Sequence, residues 1–329
     1  MARGIRSIKI LGMCLVAALL LAGGGLVVLA RRQVPAAEPA PDVVSVAELD
    51  QLIVRLRPLQ TPLGKPRPFD WLAMYHEPEQ TFRQYLASEP VQPDRVRRVL
   101  YVQPLGAMTL KQREIVDLTA EFMQRYFGLP VTAMPDLSLN EVPAKAQRPS
   151  PFGGRQILTG YVLDRVLKPR LPDDAVACIA FTAADLWPGE GWNFVFGQAS
   201  LRGRVGVWSL ARQGDPAAGP DGWRLCLLRT LKVATHETGH MFGMGHCTLW
   251  ECNMCGSNSL PEADRHPLAL CPECLAKLCW CLGVRPEEHL RRVSEFCAAQ
   301  GLETERQAAA AALKALPAPV PEPAATSRE

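Results

Sequence analysis

The most conspicuous pattern along the chain is an apolar one without any charge. Residues 10–30 form an uncharged run, preceded by Arg3, Arg6 and Lys9 and closed by Arg31 and Arg32. As a helix rising ~1.5 Å per residue, the run matches the ~30 Å hydrocarbon core of a bilayer. It is longer than the ~7–15-residue apolar stretch of a secretory signal. Residues 1–32 therefore read as a signal-anchor or transmembrane segment, with the domain beyond it outside the cytoplasm. Val28-Leu29-Ala30 offers the alternative of cleavage and secretion. Residues 33–44 are rich in Pro and Ala and read as a linker.

Beyond the linker, strand-like and helix-like periods alternate. Residues 99–103 (VLYVQ) predict a strand ending at Pro104. Residues 110–126 predict a helix with Ile115, Leu118, Phe122 and Tyr126 on one face and Gly128 past its end. Residues 131–137 predict a second strand, and 156–167 a second helix stopped by Pro169. The unbroken apolar run 175–181 (AVACIAF) predicts a buried strand. Residues 193–209 predict a hairpin or edge segment, and 225–242 a third helix. Strands interleaved with helices make an α/β or α+β layered domain over 45–284, with α+β the expected class. An amphipathic helix and an Ala-rich one follow, as a helical extension over 285–314. The Pro-rich residues 315–329 are expected to be a disordered tail.

Composition adds two constraints. A net charge of +3 argues against a nucleic-acid partner. The 11 cysteines are unevenly spread, and Cys247, Cys252, Cys255, Cys271, Cys274, Cys279 and Cys281 crowd into one stretch. Crowding of this kind beside histidines points to metal rather than to a disulfide framework.

The histidine motif is His236-Glu-Thr-Gly-His240-Met-Phe-Gly243-Met-Gly-His246. On a helix, His236 and His240 share one face and can aim at one ion. Gly243 can take the positive φ that ends the helix, so the chain returns with His246 as third ligand. Three protein ligands leave a fourth position for water, which is the catalytic form of a zinc site. Glu237 lies beside the metal, as general base for a water that the metal activates, and the expected reaction is peptide-bond hydrolysis. His76, His266 and His289 read as surface or packing residues.

Cys247 and Cys252, with Cys271-Pro-Glu-Cys274, can form a closed four-thiolate site for a second, structural zinc. Disulfides are the alternative if the domain faces an oxidising compartment. Cys255, Cys279 and Cys281 are either substitute ligands or small buried side chains.

The run HETGHMFGMGHCTLWECNM, followed by CPECLAKL, resembles the archaemetzincin family of zinc metallopeptidases. Ala183–Pro188 (AADLWP), Asn193–Ser200 (NFVFGQAS), Gly64–Pro68 (GKPRP) and Pro78–Phe82 (PEQTF) are also similar to family segments. The resemblance spans about residues 60–283. It implies a zincin-like (metzincin) fold with a mixed sheet, an active-site helix and a cleft along an edge strand. It also implies a three-histidine and a four-cysteine zinc, two per chain. By the same analogy Met254 is the Met-turn residue beneath the catalytic metal, and 193–201 an edge strand that pairs with a peptide substrate. The membrane-like N-terminus departs from the family pattern. The resemblance leaves aminopeptidase and endopeptidase action open. A zinc-stabilised binding or scaffold protein is the alternative function.

Overall fold

The computed structural model describes residues 44–151, 153–200 and 203–317. The expected anchor, nearly all of the linker and most of the tail lie outside them. Among the described residues, no helix is long and apolar enough to cross a membrane.

Among the described residues, eight strands run in chain order: β1 (Val99–Leu105), β2 (Val131–Ala133), β3 (Gln147–Pro149), β4 (Arg155–Leu158), β5 (Ala175–Thr182), β6 (Asp185–Trp187), β7 (Gly197–Ser200) and β8 (Val205–Ser209). Five of them form a mixed sheet in the order β2-β1-β5-β8-β7. Its pairings are parallel except for β7, which lies antiparallel to β8 at the edge. The other three form a small sheet, β3-β4-β6.

The helices are α1 (Val46–Leu56), α2 (Trp71–Met74), α3 (Phe82–Ala87), α4 (Leu110–Phe127), α5 (Thr159–Tyr161), α6 (Gly219–Met241), α7 (Leu260–Arg265), α8 (Pro272–Leu282), α9 (Pro286–Ala299) and α10 (Glu303–Ala315). The fold is thus a mixed α/β one.

The central strand β5 is buried at every position, as expected for a parallel strand covered on both faces. Its side chains alternate between two cores. Ile179 and Phe181 join Ile115, Phe122, Leu227 and Leu231 of α4 and α6, whereas Cys178 and Ala180 join Val162, Val166 and Val207. A third cluster docks α1 onto α8 through Leu49, Leu52, Leu275 and Ala276. In α9, Leu290, Val293, Phe296 and Cys297 are buried, while α10 buries only Ala309.

Local signals explain the element ends. Helix α4 opens on a capping box in which Thr109 and Gln112 satisfy each other's backbone N–H, and closes on Gly128 in the left-handed conformation. Helix α6 begins six residues before its predicted start, at Gly219-Pro220, where proline's missing N–H costs nothing.

Three expectations need correction. Strand β1 continues through Pro104 to Leu105. Its neighbour β2 pairs only as far as Val102 with Ala133, so the N–H that proline lacks falls past the end of β2. The strand over 131–137 is accordingly short. The helix expected over 156–167 starts at Thr159, because Gln156, Ile157 and Leu158 pair with Asp185, Leu186 and Trp187.

Candidate active site

Helix α6 carries His236, Glu237 and His240 one turn apart on its C-terminal end. The helix stops in a Schellman arrangement. Gly243 adopts φ +81°, its N–H bonds the His240 carbonyl at 2.9 Å, and the Met244 N–H bonds the Gly239 carbonyl at 3.1 Å. A Cβ on Gly243 would lie 2.9 Å from the Pro90 Cβ, so both backbone and packing require glycine there. The reversal brings His246 back, and one ring nitrogen from each of the three histidines lies within 4.8 Å of the others.

Each ring is oriented from behind. Nδ1 of His236 donates to the Asn253 carbonyl at 2.7 Å and Nδ1 of His240 to the Met244 carbonyl at 2.6 Å. Nδ1 of His246 donates to the Glu77 carboxylate at 2.8 Å. These acceptors place the proton on Nδ1 and leave the Nε2 lone pair for a metal. The Nε2 atoms of His236 and His240 are 3.0 Å apart, near the ~3.3 Å expected of two ~2.0–2.1 Å bonds at a tetrahedral zinc. Burial and the neighbouring His246 lower His236 to about 4; burial and His240 lower His246 to about 3. Neutral imidazole is the ligand form. Burial likewise raises the Glu237 carboxyl, opposed by His240.

Cys247, Cys252, Cys271 and Cys274 form the second cluster, buried throughout. The Sγ atoms of Cys247 and Cys271 are 3.7 Å apart, the edge of a tetrahedron with ~2.3 Å Zn–S bonds. Backbone N–H groups of Met254 and Cys271 point at the Cys252 sulfur, at 3.5 and 3.2 Å, as suits a thiolate. All ten described cysteines are free, so the disulfide alternative finds no pair among them. Cys255, Cys279 and Cys281 are buried outside this four-cysteine group.

Met254 links the two clusters. Its carbonyl accepts the Cys247 N–H at 2.8 Å, and its sulfur lies against Gly239, where an added Cβ would come within 2.8 Å. The glycine inside the His-Glu-Thr-Gly-His motif therefore makes room for Met254 under the helix.

A cleft of about 430 Å³ runs past the histidines and Glu237, with Trp192, Phe196 and Gly197 on its other side. The segment 191–196 that leads into the edge strand β7 forms that side, together with Gly197 of β7 itself, so the edge strand expected over 193–201 is confined to Gly197–Ser200. A Cβ on Gly197 would meet the Trp208 ring at 2.7 Å, so the packing of Trp208 requires glycine there, and Glu237 Cγ would lie in ordinary contact at 3.4 Å. The segment entering β7 is pinned by a buried polar network. Asp185 accepts from Arg212 at 2.8 and 2.9 Å and from Gln156 at 2.8 Å, and Gln156 and Arg148 both reach the Asn193 carbonyl. Burial opposes ionisation of Asp185, but the Arg212 and Gln156 hydrogen bonds outweigh it and hold the carboxyl below its ordinary range.

The structure brings together every predicted histidine and cysteine of the two clusters. It adds Glu77, Asn253 and Gly239. The first two act through space, from partners 169 and 17 residues away, and no local pattern marks them.

Residues 164–279 match the model of peptidase family M54. The chain is 33% identical over 262 residues to archaemetzincin-2 of Pongo abelii, covering 70% of this chain and 72% of the relative. It is 34% identical over 249 residues to archaemetzincin-2 of Homo sapiens, covering 66% and 69%. A crystal structure of archaemetzincin from Archaeoglobus fulgidus complexed with malonate is 31% identical, with a TM-score of 0.44 over 54% of this chain and 99% of that one. With this degree of identity over two thirds of its relatives' length, the chain belongs to the archaemetzincin family of zinc metallopeptidases.

Proposed function

We propose that the protein hydrolyses peptide bonds with His236, His240 and His246 as ligands of a catalytic zinc and Glu237 as general base. Cys247, Cys252, Cys271 and Cys274 hold a second, structural zinc, giving two ions per chain in a zincin-like peptidase domain over 45–284. The observation that carries this reading is the set of three imidazoles whose Nδ1 atoms are all committed to oxygen acceptors, beside the half-buried Glu237 carboxylate in the same cleft.

When bound, zinc supplies a Lewis acid that acidifies water and polarises a carbonyl. The remaining work falls to the chain. Glu237 takes a proton from the attacking water on its carboxylate and returns it to the leaving amine. Burial favours this exchange, because it raises the proton affinity of the carboxylate. The free edge of β7 pairs with an extended substrate by strand addition and lays it across the cleft. Met254 supports the histidines from below. The helical extension 285–314 buttresses the domain through α9, and Ala315 and Leu316, expected to begin the tail, instead pack against the third core cluster.

The uncharged run 10–30, with basic residues on both flanks, supports a membrane anchor that carries the peptidase domain outside the cytoplasm. The full chain should then resist extraction by alkaline carbonate, and its domain should be digested by protease added to intact cells. Extraction of the intact chain would remove the anchor from the reading.

Activity is tested with full-length, zinc-loaded protein on a mixed peptide library read by mass spectrometry, beside Glu237→Ala with equal zinc. The variant should lose on the order of 10²–10⁴-fold in rate. Cut positions separate aminopeptidase from endopeptidase action. Silence from both proteins would favour a zinc-stabilised binding protein.

A further inference from the structure

We infer that the protein prefers an acidic side chain at one position next to the cleaved bond, received by Lys232 and His266 in a pocket that opens off the cleft beside Glu237. This deepens the peptidase reading above and rests on it.

The pocket holds about 90 Å³, room for a single side chain. It shares Phe196, His236, Glu237 and Ser257 with the main cleft and continues past them to Lys232 and His266, which the cleft itself does not reach. A side chain projecting from a peptide on β7 passes Glu237 at the boundary before it meets these two residues.

Both are short of partners. His266 is 9% exposed, and neither of its ring nitrogens has a hydrogen-bond partner. Buried polar atoms are nearly always satisfied, so an imidazole with both nitrogens orphaned marks a place for a ligand. The Lys232 ammonium donates to the Ala263 carbonyl at 2.9 Å, which leaves two of its three donors. The acids that act on it electrostatically are engaged elsewhere. Asp264 receives two hydrogen bonds from Arg229, at 2.8 and 2.5 Å, and Glu305 accepts the Leu268 N–H at 3.2 Å.

The remaining walls select the ligand. Phe196 and Val233 suit the methylenes of a short aliphatic stem. A carboxylate at its end can accept one bond from Lys232 and one from the imidazole N–H, and charge-assisted bonds of this kind are about twice as strong as neutral ones. An amide would gain less, and a lysine would face Lys232.

The test uses two readouts on the full-length, zinc-loaded protein. In the first, peptides built on a cleaved sequence carry Glu, Gln, Leu or Lys at each position flanking the cut. The glutamyl form at one of these positions should be cleaved at least tenfold more efficiently in kcat/KM than the glutaminyl form. Lys232→Gln should abolish that ratio, and Lys232→Glu should turn the preference towards Lys. His266→Phe should reduce the ratio. In the second, calorimetry measures binding of four peptide hydroxamates that differ only in the same side chain. The acidic one should bind at least tenfold tighter than its amide analogue, and Lys232→Gln should erase the difference. Equal affinities or equal cleavage of the acid and amide forms would overturn the pocket. An acid preference in binding without cleavage of any peptide would keep the pocket and reject the peptidase reading. Failure of all four hydroxamates to bind would reject both.

Discussion

The histidine and cysteine clusters lie next to one another in sequence, joined at His246-Cys247, yet they are built differently. The three histidines come from one helix end and the turn after it, and all are partly exposed to the cleft. Their rings are held by groups that come from other parts of the chain. The four cysteines come from two loops and the start of α8, are fully buried, and take part in the main hydrophobic core. One cluster is open and oriented from outside; the other is closed and is itself structure. The first should therefore govern activity and the second stability.

The largest expected effect tests this division. Cys271→Ala should release one zinc and destabilise the fold by several kcal/mol, lowering the thermal midpoint by about 10 °C or more. His240→Ala should release the other zinc and abolish cleavage while the midpoint moves far less. Metal content by mass spectrometry and scanning calorimetry would check both. Departure of both ions from the His240 variant would mean that the two sites are not separable.

A smaller effect should come from the outer carboxylate of the open site. Glu77→Ala removes the acceptor behind His246 and should weaken zinc binding at the histidines by about 10–100-fold, with no change at the cysteines. Chelator competition would measure this, and equal affinity in parent and variant would reduce Glu77 to a surface acid.

The smallest effect sharpens the comparison from a third place. His289 lies in neither cluster; it is buried in α9 and its Nδ1 donates to the Tyr126 carbonyl at 2.8 Å. Burial lowers it to about 4. The unfolded chain takes up this proton near pH 6.5 and the folded chain only near pH 4. Stability should therefore be fully present above pH 6.5 and fall as pH drops towards 4, by on the order of 1–3 kcal/mol. Denaturant titrations across that range should show the slope, and His289→Gln should flatten it. An unchanged slope would assign the acid sensitivity to other groups.

Much of the molecule was legible from local pattern. The unbroken apolar run of β5, the period of α4 with its terminal Gly128, and the i, i+4 histidines with Gly243 each encode their geometry within one element. The cysteine spacing likewise marked four side chains that the fold brings into one group. Less was legible where pairing decides. Gln156, Ile157 and Leu158 read as helix, but they become strand β4 because Asp185 and its neighbours offer a partner and Gln156 is bonded inside the network around it. Pro104 looked like a strand end, but the sheet tolerates it because β2 stops short.

The chain by itself thus determined which histidines share a helix face and the turn that brings His246 back to them, because spacing along a helix sets direction over a few residues. Tertiary structure alone decided what stands behind and beside those histidines. Glu77 meets His246 across 169 residues, Met254 fits under Gly239, and β7 approaches Glu237 through Gly197. Lys232 and His266 come to share a pocket only when α7 lies against α6. Hydrogen bonds and close packing act at a few ångströms in space, and a linear pattern carries no record of which distant residues the folded chain will bring within that reach.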